Sequence, residues 1–135
     1  MKKTIFVVGA GKGLGNAVAR KFGADDFRVV LMCRNAEHLA DYQREMQAEG
    51  IEVATQVVDT ANQTTLTAAM QPAVQTYGIP DVLFYNVGIT TADTELPDDM
   101  NTTVMEQRYQ VDVLGAYTCI QQVLGDAFSK KQGSI

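Results

Sequence analysis

At 135 residues the chain has the length of one domain, 1–135, large enough for a real core but small for an enzyme with separate cofactor and substrate parts. A formal net charge of -5 argues against nucleic acid as the main partner, because phosphate backbones are held by clustered Lys and Arg, and the pairs Lys2-Lys3 and Lys130-Lys131 stand at opposite ends and read as solvated. Two cysteines, Cys33 and Cys119, are too few for a disulfide framework, no apolar run is long enough to span a bilayer, and Met1-Lys2-Lys3 passes straight into a strand; a soluble, cytoplasmic protein with no membrane partner is expected.

A short apolar strand, residues 5–8, empties into Gly9-Ala10-Gly11-Lys12-Gly13-Leu14-Gly15 and then into a helix. Leu14, Ala17, Val18, Lys21 and Phe22 give that helix an apolar stripe, and Gly23 ends it. Residues 27–33 are a nearly continuous apolar run, as in a strand buried on both faces. The second helix, 36–49, turns Leu39, Ala40 and Met46 inward and stops at Gly50; the third strand covers 51–58. Leu66, Ala69, Met70, Ala73, Val74 and Tyr77 mark a third helix, in which Pro72 predicts a kink or a split. After Pro80, residues 81–85 form the fourth strand.

The acidic group Asp93, Glu95, Asp98 and Asp99 around Pro97 reads as a solvated loop with a cap for the longest helix, 102–128. In that helix Met105, Tyr109, Val113, Ala116, Ile120, Val123 and Leu124 form one broad stripe, while Val111 and Leu114 make a second face apolar. Two apolar faces predict more than one packing surface. Gly133-Ser134-Ile135 reads as the opening of a fifth strand.

Gly9, Arg34, Asp59 and Asn86 follow the four strands at separations of 34−9 = 25, 59−34 = 25 and 86−59 = 27. Such regularity puts all four on one rim of four stacked β-α units. Right-handed crossovers then predict an α/β fold with a doubly wound, Rossmann-type parallel sheet in the order 3-2-1-4. In such a sheet the ligand lies at the carboxyl ends of the strands. Glycines let the first turn reverse within a few residues and let backbone amides reach a phosphate, and the helix beginning near Leu14 points its positive end at the same spot. The stretch therefore reads as a site for the pyrophosphate of a dinucleotide.

The spacing refuses both G-x-G-x-x-G, which needs glycine at Leu14 or Asn16, and the P-loop, which needs glycine at Leu14 followed by lysine. It fits G-x-x-x-G-x-G through Gly9, Gly13 and Gly15, with Gly11, Lys12 and Leu14 inside the turn. Arg34 stands where a fold that prefers NAD carries Asp or Glu for the ribose hydroxyls; a cation there, with Lys12, suits a 2′-phosphate and favours NADP over NAD.

On this turn the sequence resembles the short-chain dehydrogenase/reductase family, and the resemblance runs the length of the chain. It implies that Asp59-Thr60 receives the adenine amino group, although Asp59 also reads as an N-cap for the third helix. Tyr85-Asn86-Val87-Gly88 resembles the family's N-N-A-G element, which props the central sheet beside the cofactor; Asn86 and Gly88 are kept, whereas Tyr85 and Val87 depart from it. Val111-Asp112-Val113-Leu114-Gly115 resembles the segment whose Asn belongs to the family's catalytic tetrad. A carboxylate cannot donate the hydrogen bonds of an amide, so Asp112 is given no catalytic role.

The family's catalytic Ser and Tyr-x-x-x-Lys lie farther on than this sequence reaches. Tyr42, Tyr77, Tyr85, Tyr109 and Tyr117 are followed four residues later by Met46, Asp81, Ile89, Val113 and Gln121, and the only serines are Ser129 and Ser134. His38 is the sole histidine and reads as solvated or capping; with two distant cysteines it makes no zinc set, and no catalytic triad can be assembled. The chain is thus read as a truncated, cofactor-binding portion of an NADP-dependent oxidoreductase that moves hydride between the nicotinamide and a carbonyl or alcohol carbon, inactive alone. The alternative is a non-catalytic NADP-binding or sensing protein. A sheet ending at strand four leaves 82–85 as an open apolar edge, to be covered by a missing carboxyl-terminal half, by Ser134-Ile135, or by another chain. In the resembling enzymes the long helix packs on a neighbouring subunit, so a homo-oligomer through that helix or edge is expected.

Overall fold

The computed structural model describes residues 2–88 and 101–135. Strands and helices alternate as β1 (Thr4–Val8), α1 (Leu14–Ala24), β2 (Arg28–Cys33), α2 (Ala36–Ala48), β3 (Val53–Val57), α3 (Gln63–Tyr77) and β4 (Val82–Tyr85). They are followed by α4 (Thr102–Arg108), a π-helical turn (Tyr109–Leu114), α5 (Gly115–Val123) and a short α6 (Asp126–Lys130). The described strands form one parallel sheet in the order β3-β2-β1-β4, with Thr4 opposite Arg28, Ile5 opposite Val82 and Val29 opposite Val53.

This sheet is buried on both faces because its central strands carry apolar residues at every position, not at alternate ones. Phe6, Val8, Val30 and Met32 meet Leu66, Met70 and Ala73 of α3 and Cys119 and Val123 of α5. On the opposite face Ile5, Val7, Val29 and Leu31 meet Ala19 of α1 and Leu39, Tyr42 and Met46 of α2. Each large side chain fully withdrawn from water here contributes about 1.5–3 kcal/mol. Parallel strands also align their carboxyl ends, so Gly9, Arg34, Asp59 and Asn86 share one rim.

Several elements differ in detail from expectation. The buried residues of α1 are Gly15, Asn16 and Ala19, whereas Leu14 is 60% exposed and Ala17 also faces water. Small residues let α1 lie close to the sheet, while Val18 and Phe22 of the expected stripe pack, partly buried, against the same core. In α2 it is Tyr42 that joins Leu39 and Met46 inside, and Ala40 is exposed. α3 runs unsplit through Pro72, which sits on its exposed side, where the carbonyl displaced by the ring can turn to water. Lys2 is paired with Asp26 at 2.9 Å and Glu52 at 3.3 Å, and Lys131 with Asp81 at 3.6 Å. The acidic group at 93–99 lies outside the described residues.

The long helix expected over 102–128 is interrupted twice. At the first interruption, Tyr85 donates its hydroxyl to the Val111 carbonyl, and a Cβ on Gly115 would overlap that hydroxyl. A side chain that takes a helical carbonyl from the ladder is accommodated by a wider turn, which is what 109–114 form. At the second, Leu124 turns extended with ψ 149 and Gly125 adopts φ 143, ending α5 at Val123. The inward face is built from Val111, Gly115, Thr118, Cys119 and Val123, while Met105, Tyr109 and Val113 of the expected stripe are about half exposed. Of the three covers weighed for the β4 edge, Ser134 is the one present: it bridges Val82 in parallel, its N–H donating to the Asp81 carbonyl and its carbonyl accepting from Leu83 N–H, both at 2.9 Å.

A buried thiol and a half-buried phenol tie this packing to pH. Burial pushes the Cys119 thiol up to about 12. It does the same to the Tyr85 phenol, also to about 12, against a hydrogen bond at Thr60 that lowers it. In the unfolded chain such groups ionise near 8.5 and 10. Folding therefore favours their neutral forms, and the stability they contribute is complete below those values and lost as pH rises toward 12. Urea midpoints should be flat up to about pH 8 and fall above it. Tyr85→Phe should remove the part of the fall above about pH 10 while lowering stability at neutral pH by about 1 kcal/mol, for the lost hydrogen bond.

Candidate functional site

β1 delivers the chain to the rim with no freedom to spare. Gly9 has φ 101, and a Cβ there would overlap the carbonyl of Asn86. Its N–H and that of Ala10 both donate to the Met32 carbonyl, at 2.9 and 3.0 Å, and Asn86 N–H donates to Val8 at 2.8 Å. A Cβ on Gly15 would in turn overlap the Gly9 carbonyl. These two glycines are required by the protein's own close packing. Gly11 and Gly13 differ: a Cβ on either would meet nothing within 4 Å, so the turn presents bare backbone to open space.

Asn16, only 1% exposed, holds the turn from beneath. Its Oδ1 accepts from Gly11 N–H and its own N–H donates to the Gly11 carbonyl, each at 3.0 Å. α1 starts at Leu14 with no side-chain cap and no acidic residue in its first turn. A helix start without a side-chain cap, with the dipole's positive end, has the chemistry to hold an anion.

The rim residues converge on a groove of about 230 Å³. Gly9, Arg34, Thr60, Asn86 and Gly88 line it, joined by Ala10, Cys33, Val58 and Val87. A larger open cavity of about 470 Å³ continues from it past Ala10, Cys33 and Arg34 to Asn35 and His38. Arg34 borders both and is exposed. Thr60 is 5% exposed. Lys12 is exposed on the turn and Leu14 beside it, and neither is part of the groove wall.

Asp59 is outside the wall as well. Its Oδ1 accepts from Ala61 N–H at 2.9 Å, fixing its own loop, and the N-cap of α3 is Asn62, whose Oδ1 accepts from Thr65 N–H at 3.0 Å. The capping role considered for Asp59 thus falls to a residue three positions later. Asp112 is exposed in the π-helical turn, with Oδ1 3.9 Å from where a Cβ of Gly88 would stand.

Sequence reasoning missed Asn16, Cys33 and Tyr85 as builders of this region. Asn16 was weighed only as a glycine that failed to appear, although Asn two positions into a helix can reach back to an upstream amide. Tyr85 was visible only as a departure from a motif. Among the described residues no group of three His, Cys, Asp or Glu could hold a metal ion, and no helix is long and apolar enough to cross a membrane.

A family model described as short chain dehydrogenase matches residues 3–135. The dehydrogenase/reductase SDR family member 7B of Mus musculus is 32% identical over 139 residues, covering 97% of this chain and 41% of that protein. A metagenomic short-chain oxidoreductase solved in complex with NADP is 26% identical, with a TM-score of 0.81 over 96% of this chain and 56% of that one. An alcohol dehydrogenase from the archaeon Thermococcus sibiricus, complexed with 5-hydroxy-NADP, shares the fold at 22% identity, with a TM-score of 0.87 over 99% of this chain and 57% of that one. The chain spans about half the length of the curated relatives it matches, between 41% and 55%.

Proposed function

Since the chain belongs to the short-chain dehydrogenase family, we propose that it is the NADP-binding portion of an oxidoreductase that interconverts a carbonyl and an alcohol. One observation carries this reading: Gly11 and Gly13 leave bare backbone facing open space at an uncapped helix amino terminus, beside a groove that runs to Arg34. A Cβ at either glycine would stand in that space, so the turn fits a pyrophosphate.

In this reading the amides at the start of α1 hold the pyrophosphate, with Leu14 as apolar cover. Arg34 and Lys12 hold the 2′-phosphate, the Asp59-Thr60 loop receives the adenine, and Asn86 to Gly88 support the second nucleoside on the β4 side. Strand order supports that direction, because the β2 and β4 rims flank the glycine turn. The bound dinucleotide supplies hydride chemistry at its nicotinamide. Titration with NADPH and NADH tests the reading directly: NADPH should bind at least tenfold tighter, and equal or reversed affinities would sink it.

The second reading is an NADP-binding or sensing protein without catalysis. NADPH-dependent reduction of carbonyl compounds by the protein as its source makes it separates the two. Free thiols at Cys33 and Cys119 support placing the protein in the cytoplasm. We also propose self-association through α4, the π-helical turn and the start of α5, where Met105, Tyr109, Val113 and Tyr117, four residues apart, are each about half exposed. Light scattering at micromolar concentration should give at least a dimer, dissociated by Val113→Lys; a monomer would count against it.

A further inference from the structure

Tyr85, the last residue of β4, stands directly before Asn86, Val87 and Gly88 of the groove wall without lining the groove itself. Its hydroxyl donates to the Val111 carbonyl of the π-helical turn. Within the helix that carbonyl is passed over, because Gly115 N–H donates five residues back, to the Gln110 carbonyl, and not four. A Cβ on Gly115 would overlap the Tyr85 hydroxyl and stand 3.1 Å from the carbonyl of Thr60, a wall residue only 5% exposed. Three segments thus meet at one hydroxyl: the end of β4, the loop after β3 and the turn. We infer that Tyr85 is a positioning residue: by taking the Val111 carbonyl, its hydroxyl keys the π-helical turn to the groove wall and so holds Asp112 beside Gly88 on the β4 side of the groove.

The wide turn is imposed from outside the helix. Residues 102–123 contain no proline and one glycine, Gly115, so nothing in their sequence breaks an α-helical ladder. In an unbroken ladder Gly115 N–H would take the Val111 carbonyl. Closing the ladder removes the extra residue of the wide turn and rotates one flank against the other by about 100°. α5 is anchored by Cys119 and Val123 in the core, whereas α4 has no buried residue, so α4 and the turn are the part that moves. Asp112, whose Oδ1 is 3.9 Å from where a Cβ of Gly88 would stand, moves with them. The Tyr85 hydroxyl prevents this by giving the passed-over carbonyl a partner, and a second tie, from Gln110 Nε2 to Gln63 Oε1 at 2.5 Å, steadies the turn against α3.

On the NADP reading above, on which this inference rests, Asn86 to Gly88 support the second nucleoside, while Arg34 and Thr60 serve the adenosine half. Release of the turn therefore alters the second-nucleoside half of the groove, and the glycine turn, β2 and the loop after β3 keep their places. Loss of stability alone produces no such split, since a partly unfolded population weakens every ligand of the native state by the same factor.

Titrations with NADPH and with 2′,5′-ADP, which lacks the second nucleoside, test the role in the wild type, Tyr85→Phe and Val123→Ala, the last thinning the core beneath α5 two turns beyond Gly115. Tyr85→Phe should bind NADPH about three- to tenfold more weakly than the wild type and 2′,5′-ADP equally well, and Val123→Ala should bind both as the wild type does. Urea midpoints test the joint without any nucleotide: Gly115→Ala should lower the midpoint, and adding Tyr85→Phe should raise it again, because the hydroxyl that the methyl overlaps is gone. Unaltered NADPH binding by Tyr85→Phe, an equal loss of NADPH and 2′,5′-ADP, or the same selective loss in Val123→Ala overturns the positioning role. So does a double variant no more stable than Gly115→Ala. A wild type that binds neither nucleotide overturns the NADP reading, and the urea comparison then still decides whether Tyr85 keys the turn.

Discussion

Replacing Gly9 with alanine should both destabilise the protein and end dinucleotide binding, whereas the same change at Gly13, four residues on, should weaken binding alone. At Gly9 the new methyl meets a backbone at φ 101 and the Asn86 carbonyl from the neighbouring strand end. Backbone strain of about 1–3 kcal/mol adds to overpacking of about 1–3 kcal/mol. A total of about 2–6 kcal/mol is a large share of the stability of one domain, about 5–15 kcal/mol. At Gly13 the methyl meets no protein atom within 4 Å. Stability should stay within about 0.5 kcal/mol, while the blocked amides reduce NADPH affinity by about 2 kcal/mol, some thirtyfold. Urea denaturation and NADPH titration of both variants read the two effects apart. If Gly13→Ala binds NADPH normally, the open face of the turn is not where the pyrophosphate lies.

Arg34→Asp should reverse the choice of cofactor. The guanidinium is exposed at the junction of groove and cavity, so its removal leaves the core untouched and the melting temperature within a degree or two of the wild type. Loss of charge-assisted hydrogen bonds of about 1.5–3 kcal/mol, with repulsion between carboxylate and phosphate added, lowers NADPH affinity about a hundredfold or more. Affinity for NADH should rise a few-fold, since a carboxylate in this place accepts from ribose hydroxyls. A change in NADPH affinity of less than about threefold would show that the phosphate is held elsewhere.

The sheet was legible because strands buried on both faces carry unbroken apolar runs and because the rim residues recur at nearly constant spacing. What periodicity could not reveal was which helical face packs. In α1 the fully buried positions are Gly15, Asn16 and Ala19, and in α5 Gly115 and Thr118 lie inside beside Cys119 and Val123. There close approach of backbone decides the packing, and hydropathy is blind to it. The stripe of larger side chains, Met105, Tyr109 and Val113, consequently pointed outward. The π-helical turn escaped for a related reason: it depends on the Tyr85 hydroxyl arriving 26 residues away from its acceptor Val111. Spacing put Gly9, Arg34 and Asn86 on one rim, and one groove is lined by all three together with Thr60, to which only the family resemblance pointed. The part of Asn16 was not, since a buried amide that holds a turn looks in sequence like any polar residue on a helix.

Gly9 also sets an order of events during synthesis. β1 emerges first, yet it lies in the middle of the sheet, and its partner on one side, Val82 opposite Ile5, follows 82−5 = 77 residues later. The surface on which Gly9 rests is the Asn86 carbonyl. A nascent chain can pair β1 with β2 early, but its glycine turn has nothing to close against until residue 86 has left the ribosome. Long-range parallel pairings form slowly and leave apolar edges uncovered meanwhile. The glycine turn after β1 therefore closes late in translation, and until it does one edge of β1 stays uncovered.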